Sequence, residues 1–268
     1  GVADVEAVIA QVAEWGHPAV AITDHGVVHA FPEAYQAARR AGVKLIYGME
    51  GYLVDDPSPS SPVYHVILLA KNPEGLRNLY RLVSLSHLHY FYRNPRIPRQ
   101  ELERHREGLL VGSACEAGEV FQALLRDEPW DELVRRARFY DYIELQPLAN
   151  NAFLVEQGVV RDTEGLRELN RKLIRLAREA GRPAVATGDV HFLHPEDEIF
   201  RRILMAGHGF TEERQTPLYL RTTAEMLQEF AYLGQELARE VVVDNPRRLA
   251  DAVEAMRPVP EGLHAPQL

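Results

Sequence analysis

The sequence predicts an α/β fold with a mainly parallel sheet, and three observations predict it. Apolar, strand-like runs alternate with segments of helical period over roughly the first 200 residues. The chain has 268 residues, 46% of them hydrophobic, enough core for one barrel or two small domains. Six strand candidates separated by helices suit closure into a barrel, with an open doubly wound sheet as the rival architecture. A barrel ordinarily starts on a strand, whereas this chain opens on a helix, so a first strand is expected to be missing from it.

Each element follows from local pattern. In "VADVEAVIAQVAEWG" the residues Val5, Val8, Ile9, Val12 and Trp15 recur at helical spacing, and Gly16 is a stop signal. "PAVAITDH" is a buried strand, "FPEAYQAARRAG" a helix with Pro32 in its first turn and Gly42 past its end, and "KLIYGMEGYLV" a second strand. Then come "HVILLAK" (strand), "PEGLRNLYRLVSLSHL" (helix), "GLLVGSA" (strand), and "AGEVFQALLRD" with "WDELVRRARFY" (helices). "YDYIELQPL", the long helix "TEGLRELNRKLIRLAREAG" and the strand "RPAVATGDVHF" complete the alternation.

Two places interrupt it. Residues 55–64, "DDPSPSSPVY", are rich in Pro and Ser and join two strands as a flexible loop or the scar of an insertion. After about Gly207 the pattern changes to short helices without strands, so residues 1–207 are expected to form one domain and 208–268 a helical connector ending in a Pro-rich linker. No apolar run reaches ~18 residues and no secretion signal opens the chain, which predicts a soluble, cytoplasmic protein without a membrane partner. A single cysteine, Cys115, excludes an internal disulfide framework and leaves open a reactive or metal-bound thiol.

A net charge of −9 argues against the whole chain acting as a nucleic-acid binder. Residues 71–106 nevertheless carry eight Lys or Arg against three acids, a local +5 that leaves −14 for the remainder. Within them "HLHYFYRNPRIPR" mixes aromatics with Arg93, Arg96 and Arg99, as a surface for single-stranded DNA would. The alternative is a solvated loop covering core.

Several strand ends carry residues able to bind metal. Asp189 and His191 in "ATGDVHFLH" stand at i and i+2, so on a strand both side chains face one side. Asp24 and His25 in "TDH" are neighbours facing opposite sides, so one would bind while the other orients through a hydrogen bond. Glu50 lies in register with Gly48, whose missing side chain would leave room for an ion beside the carboxylate. Cys115 follows "GLLVGSA", where a thiolate could act as a soft ligand. His65 opens its strand, where the barrel rule puts stabilising rather than functional residues. Each residue alone has an ordinary reading as a cap, a core residue or a solvated side chain. Together, imidazole, carboxylate and thiolate donors suit Zn²⁺, Mn²⁺ or Fe²⁺ better than Mg²⁺ and point to a polynuclear site for phosphoester hydrolysis.

These motifs, with "AEWGHPAVAITDHGVVHAFPEAYQAARRAGVKLIYGMEGYLVDD", "HVILLAKNPEGLRNLYRLVSLSHLHYFYRNPRIPR", "EGLLVGSACEAGEVF", "FYDYIELQP", "PAVATGDVHFLHPED" and "YLRTTAEMLQEFAYLG", resemble the polymerase-and-histidinol-phosphatase (PHP) domain of bacterial type-C DNA polymerase III α subunits. The resemblance implies a distorted (β/α)7 TIM-like barrel with His25, Glu50, His65, Cys115, Asp189 and His191 as metal ligands, which leaves Asp24 the orienting role. It implies up to three transition-metal ions, Zn²⁺ or Mn²⁺, and a 3′–5′ exonuclease or phosphoesterase chemistry. Three further ligands would precede Gly1, so hydrolysis by this chain alone is expected to be weak or absent. The family's exonuclease insertion is missing near residues 55–64. A parent polymerase would supply the partners, namely the rest of the α subunit and DNA, and a separate core using Mg²⁺. A metal-stapled scaffold without hydrolytic activity and a stand-alone PHP-type phosphatase are the alternatives.

Overall fold

A computed structural model describes residues 2–207 and 217–262 of the chain. It begins with α1 (Val5–Glu14), capped by Asp4, whose carboxylate accepts the Ala7 amide at 2.8 Å. β1 (Ala19–Ile22), α2 (Phe31–Ala41), β2 (Lys44–Val54), β3 (Tyr64–Ala70) and α3 (Pro73–Leu88) follow. A small hairpin, β4 (Phe91–Tyr92) with β5 (Asn94–Pro98), precedes α4 (Arg99–Arg104) and β6 (Leu109–Gly112). Next are α5 (Glu119–Leu125), α6 (Trp130–Ala137), β7 (Ile143–Leu145), α7 (Ala152–Glu156), α8 (Thr163–Ala180), β8 (Ala184–Ala186) and α9 (Glu198–Gly207). Beyond residue 217 lie α10 (Thr223–Glu229), α11 (Gln235–Arg239) and α12 (Asn245–Asp251). Gly16 and Gly42, expected at helix ends, and Gly181 after α8 all have positive φ, the conformation glycine adopts without penalty.

All six expected strands are present, but the sheet is mixed rather than mainly parallel. β1 pairs with β2 in parallel, β2 with β3 and β3 with β6 antiparallel, and β7 with β8 in parallel. The reason is the connection through residues 55–63, which carries no helix between β2 and β3 and so returns the chain directly alongside itself. A bridge from Gly112 to Tyr142 links β6 to β7, giving the curved order β1-β2-β3-β6-β7-β8. Among the described residues β1 and β8 each have one unpaired edge.

Alternation along the strands separates two faces. Leu45, Tyr47, Met49 and Leu53 of β2, with Val66 and Leu68 of β3, pack outward against the helices in the main core. Ile46, Ile67, Leu69, Tyr142 and Val185 form a second, smaller cluster inside the curve. Tyr142 reaches it because β6 has Gly112 beneath its ring: a Cβ there would lie 2.3 Å from the Tyr142 Cζ.

The helices after residue 217 pack on the same body. Phe230, Ala238 and Val241 join the main core, Lys44 Nζ donates to the Ala250 and Val253 carbonyls, and the Asn245 amide donates to the Ala184 carbonyl. Residues 208–216 of the expected connector and 263–268 of its Pro-rich linker lie outside the described residues.

Candidate metal centre

The inner faces of β2 and β3 carry the centre of the site. Glu50 continues the inward row that begins at Ile46, and His65 stands in the row of Ile67 and Leu69. β3 runs against β2, so His65, near its start, arrives at the end where β2 displays Glu50. His65 Nδ1 lies 2.7 Å from Glu50 Oε1. β1 leaves β2 after Ile22, and His25 continues that edge through an isolated bridge to Glu50, backed by Gly26 N–H to Glu50 O at 2.8 Å and Glu50 N–H to Asp24 O at 3.1 Å. His25 Nε2 consequently stands 3.4 Å from Glu50 Oε2.

The loop after β6 supplies Cys115. Its return is fixed by the His65 amide donating to the Ala117 carbonyl, and Ala114 takes a left-handed φ of 60° to make the turn. Cys115 Sγ lies 3.4 Å from His65 Nδ1 and 3.8 Å from Glu50 Oε1. Donor atoms of His25, Glu50 and His65 all fall within 4.8 Å of one another, a span one cation can bridge. Nitrogen, oxygen and sulfur donors converging in this way fit a transition-metal ion.

Asp189 and His191 arrive by a different route from the expected one. β8 ends at Ala186, so the pair sits not on a strand but on an arch in which Asp189 adopts a left-handed φ of 49°. His191 Nδ1 bonds to the Asp189 carbonyl at 2.9 Å and lies 3.7 Å from its Oδ1. The His191 ring is 6.2 Å from that of His25, and both arch residues border the same cavity, of about 690 Å³, as His25, Glu50 and Cys115. Left-handed non-glycine residues cost of order 1 kcal/mol or more, and here they occur at Asp189 and beside Cys115.

Electrostatics divide the cluster by role. Burial opposes a charge on Glu50, yet the hydrogen bond from His65 and the nearby histidines outweigh it and hold the carboxyl below its usual range. Burial likewise disfavours the His65 cation, but Glu50 overcomes it and raises His65. Burial lowers His25 and so favours the neutral imidazole that a metal needs. It raises Asp189, and it pushes the Cys115 thiol far up, beside Glu116 and Glu50.

Other expectations meet different outcomes. The Asp24 carboxylate is exposed and, among the described residues, makes no hydrogen bond; its backbone carbonyl, not its side chain, supports Glu50. The space over Gly48 is filled, since a Cβ there would lie 2.6 Å from Leu69 Cδ2 and 2.8 Å from Thr23 Cγ2. Arg96 is 4% exposed and spends its guanidinium on the Ser58 and Pro57 carbonyls, while Arg99 pairs with Asp55 and Glu119. Both are thus engaged inside the protein, and only Arg93, on the exposed β4–β5 turn beside Tyr92, is presented to solvent.

Sequence reasoning passed over Glu144 and Gln146. They follow Tyr142 on the inner face of β7, border the same cavity, and are 7% and 5% exposed. Burial pushes the Glu144 carboxyl up to about 8. The signal was the alternation Tyr142, Glu144, Gln146 in a strand otherwise apolar.

Comparison with known proteins identifies the chain's family. A family model described as "PHP domain" matches residues 1–148. The chain is 51% identical over 220 residues to the DNA polymerase III PolC-type of Clostridium perfringens, covering 82% of this chain and 15% of that one. It is 54% identical over 206 residues to the PolC-type enzyme of Caldanaerobacter subterraneus subsp. tengcongensis, covering 76% and 15%. A solved structure from Bifidobacterium adolescentis aligns with a TM-score of 0.44 at 14% identity over 70% of this chain and 82% of that one. The chain spans about 15% of the length of these polymerase relatives. With the family match running through His25, Glu50, His65 and Cys115, the chain belongs to the PHP domain family.

Proposed function

We propose that the chain is the PHP region of a PolC-type replicative polymerase and holds a polynuclear Zn²⁺ or Mn²⁺ site of the phosphoesterase or 3′–5′ exonuclease kind. The carrying observation is the convergence of Glu50 with His65 at 2.7 Å, His25 at 3.4 Å and Cys115 at 3.8 Å on a cavity that Asp189 and His191 also border. Bound cations would supply Lewis acidity toward a phosphoester. The protein's own part is to hold the donors: Glu50 can bridge two positions through its two oxygens, and His25 presents Nε2 while Nδ1 faces the Tyr52 hydroxyl at 3.5 Å. Nucleotidyl transfer, its Mg²⁺ and the contacts with DNA would belong to the rest of such a polymerase. Division into a domain at 1–207 and a connector beyond it goes with the same reading.

The test is calorimetric titration with Mn²⁺ and Zn²⁺ alongside Mn²⁺-dependent cleavage of a single-stranded oligonucleotide. Binding that His25→Ala and Glu50→Gln abolish supports the site, and absence of binding overturns it. A second reading, a metal staple without hydrolysis, is favoured by the separate origins of the donors: one ion would cross-link β2, β3 and the loops after β1 and β6. Metal binding with no cleavage by an intact parent polymerase's PHP site supports the staple.

A further inference from the structure

Of the strand ends around the cavity, that of β7 contributes no candidate ligand, yet it carries a buried acid, Glu144, that borders the cavity. Glu144 Oε2 accepts the Thr187 hydroxyl at 2.9 Å. The Thr187 amide donates to the Leu145 carbonyl at 2.9 Å, and Asn150, 5% exposed, donates from Nδ2 to the Gly188 carbonyl at 3.0 Å. Residues 187 and 188 are therefore held from the β7 side by three hydrogen bonds. On the far side of the arch the His191 amide donates to the Leu218 carbonyl at 2.8 Å. Asp189 lies between these fixed points in its left-handed conformation. Such a conformation persists only where the surroundings over-determine it. Released on the β7 side, the arch can relax to an ordinary φ, and a change there redirects the Asp189 carboxylate.

We propose that Glu144 and Asn150 are positioning residues for Asp189: they hold the Thr187 hydroxyl and the Gly188 carbonyl and thereby aim the Asp189 carboxylate at the Glu50–His65–Cys115 cluster. The inference rests on the metal reading above. Neither residue is among the candidate ligands, and their hydrogen bonds reach the site through residues 187 and 188, so a positioning effect on metal binding passes through Asp189. A residue that merely stabilised the fold would act on binding independently of Asp189, and the two cases separate in a double-mutant cycle.

The experiment measures Mn²⁺ affinity by calorimetry on the chain and on Thr187→Val, Glu144→Leu, Asn150→Leu and Asp189→Ala, with each of the first three also combined with Asp189→Ala. Loss of supporting contacts behind a ligand weakens affinity on the order of 10-fold or more. The expected result is weakening of that size in each clamp variant, no further weakening when Asp189 is already Ala, and recovery in Glu144→Gln, which keeps an acceptor for Thr187. Thr187→Val removes one hydroxyl at constant volume and carries the test if a Leu variant does not fold. Effects that add to Asp189→Ala, or clamp variants that bind as tightly as the parent, overturn the inference while leaving the metal site standing. A parent chain that binds no Mn²⁺ overturns the metal reading itself.

Discussion

His65 Nδ1 lies 2.7 Å from Glu50 Oε1 although the backbone ladder sets His65 opposite Tyr52 and Glu50 opposite Ile67. The contact is a diagonal across two antiparallel strands, and it exists because β3 reverses direction. A buried acid is held ionised by its histidine neighbours, and a cation entering there takes over their role. Mn²⁺ or Zn²⁺ is therefore expected to raise the melting temperature, with about 2.7 kcal/mol of stabilisation at a hundredfold excess over Kd. A chelator should reverse the gain. Differential scanning fluorimetry checks it, and a Glu50→Gln variant that still gains stability from metal would refute the role given to Glu50.

Glu119 makes a second prediction, about stability alone. It is 3% exposed, and its carboxylate receives Arg99 at 3.0 Å, Arg136 at 2.6 Å and the Tyr140 hydroxyl at 2.9 Å. Glu119→Ala leaves two half-buried guanidinium groups without their shared anion, which costs on the order of 3 kcal/mol. Denaturant unfolding should show a lower midpoint with an unchanged slope. A loss below about 0.5 kcal/mol, typical of surface positions, would mean that the network is not a unit.

The barrel-like alternation and the candidate residues at strand ends were legible because both follow from local pattern: period-2 runs, glycine stops and polar residues at strand ends. What stayed hidden was direction. Taking β3 as parallel placed His65 on the wrong end of the barrel, and only the resemblance restored it. The loop at residues 55–64 held the needed clue, since a connection without a helix cannot bring the next strand back in parallel. Side-chain partners were equally hidden. Nothing local distinguishes Arg96, buried against two carbonyls, from Arg93 on an exposed turn. Asp189 and His191 reach the site by an arch instead of the strand alternation that first suggested them.

That distinction between arginines is a third prediction. Phe91, Tyr92 and Arg93 project from the β4–β5 turn with two large aromatic rings exposed, so weak, salt-dependent binding of single-stranded DNA should fall on Arg93→Ala. Arg96→Ala should leave that binding unchanged and instead free residues 57–58, seen as faster proteolysis within the 55–61 loop. Fluorescence anisotropy with a labelled oligonucleotide, run beside limited trypsin-independent proteolysis, separates the two. Equal loss of DNA binding in both variants would contradict this assignment.

Glu144 gives the metal-free protein a distinctive dependence on pH. Burial, reinforced by the charges of Glu50 and Asp189, raises its carboxyl from 4.5 to about 8, so the folded state retains a proton that the unfolded chain releases. The associated stability is fully present below 4.5 and is lost as pH rises through about 8, because the folded state binds more protons across that window. The complete shift corresponds to at most about 5 kcal/mol. Glu144→Gln removes the titration while preserving an acceptor for the Thr187 hydroxyl. The variant's unfolding free energy should therefore fall less steeply than the parent's between 4.5 and 8, and the two curves should diverge most at the alkaline end. Asp189 and Glu116, also raised by burial, contribute to both proteins and leave the difference to Glu144. Parallel curves from chelator-treated samples would show that Glu144 is already ionised in the fold, and that the acid behind Thr187 is a charged rather than a neutral partner.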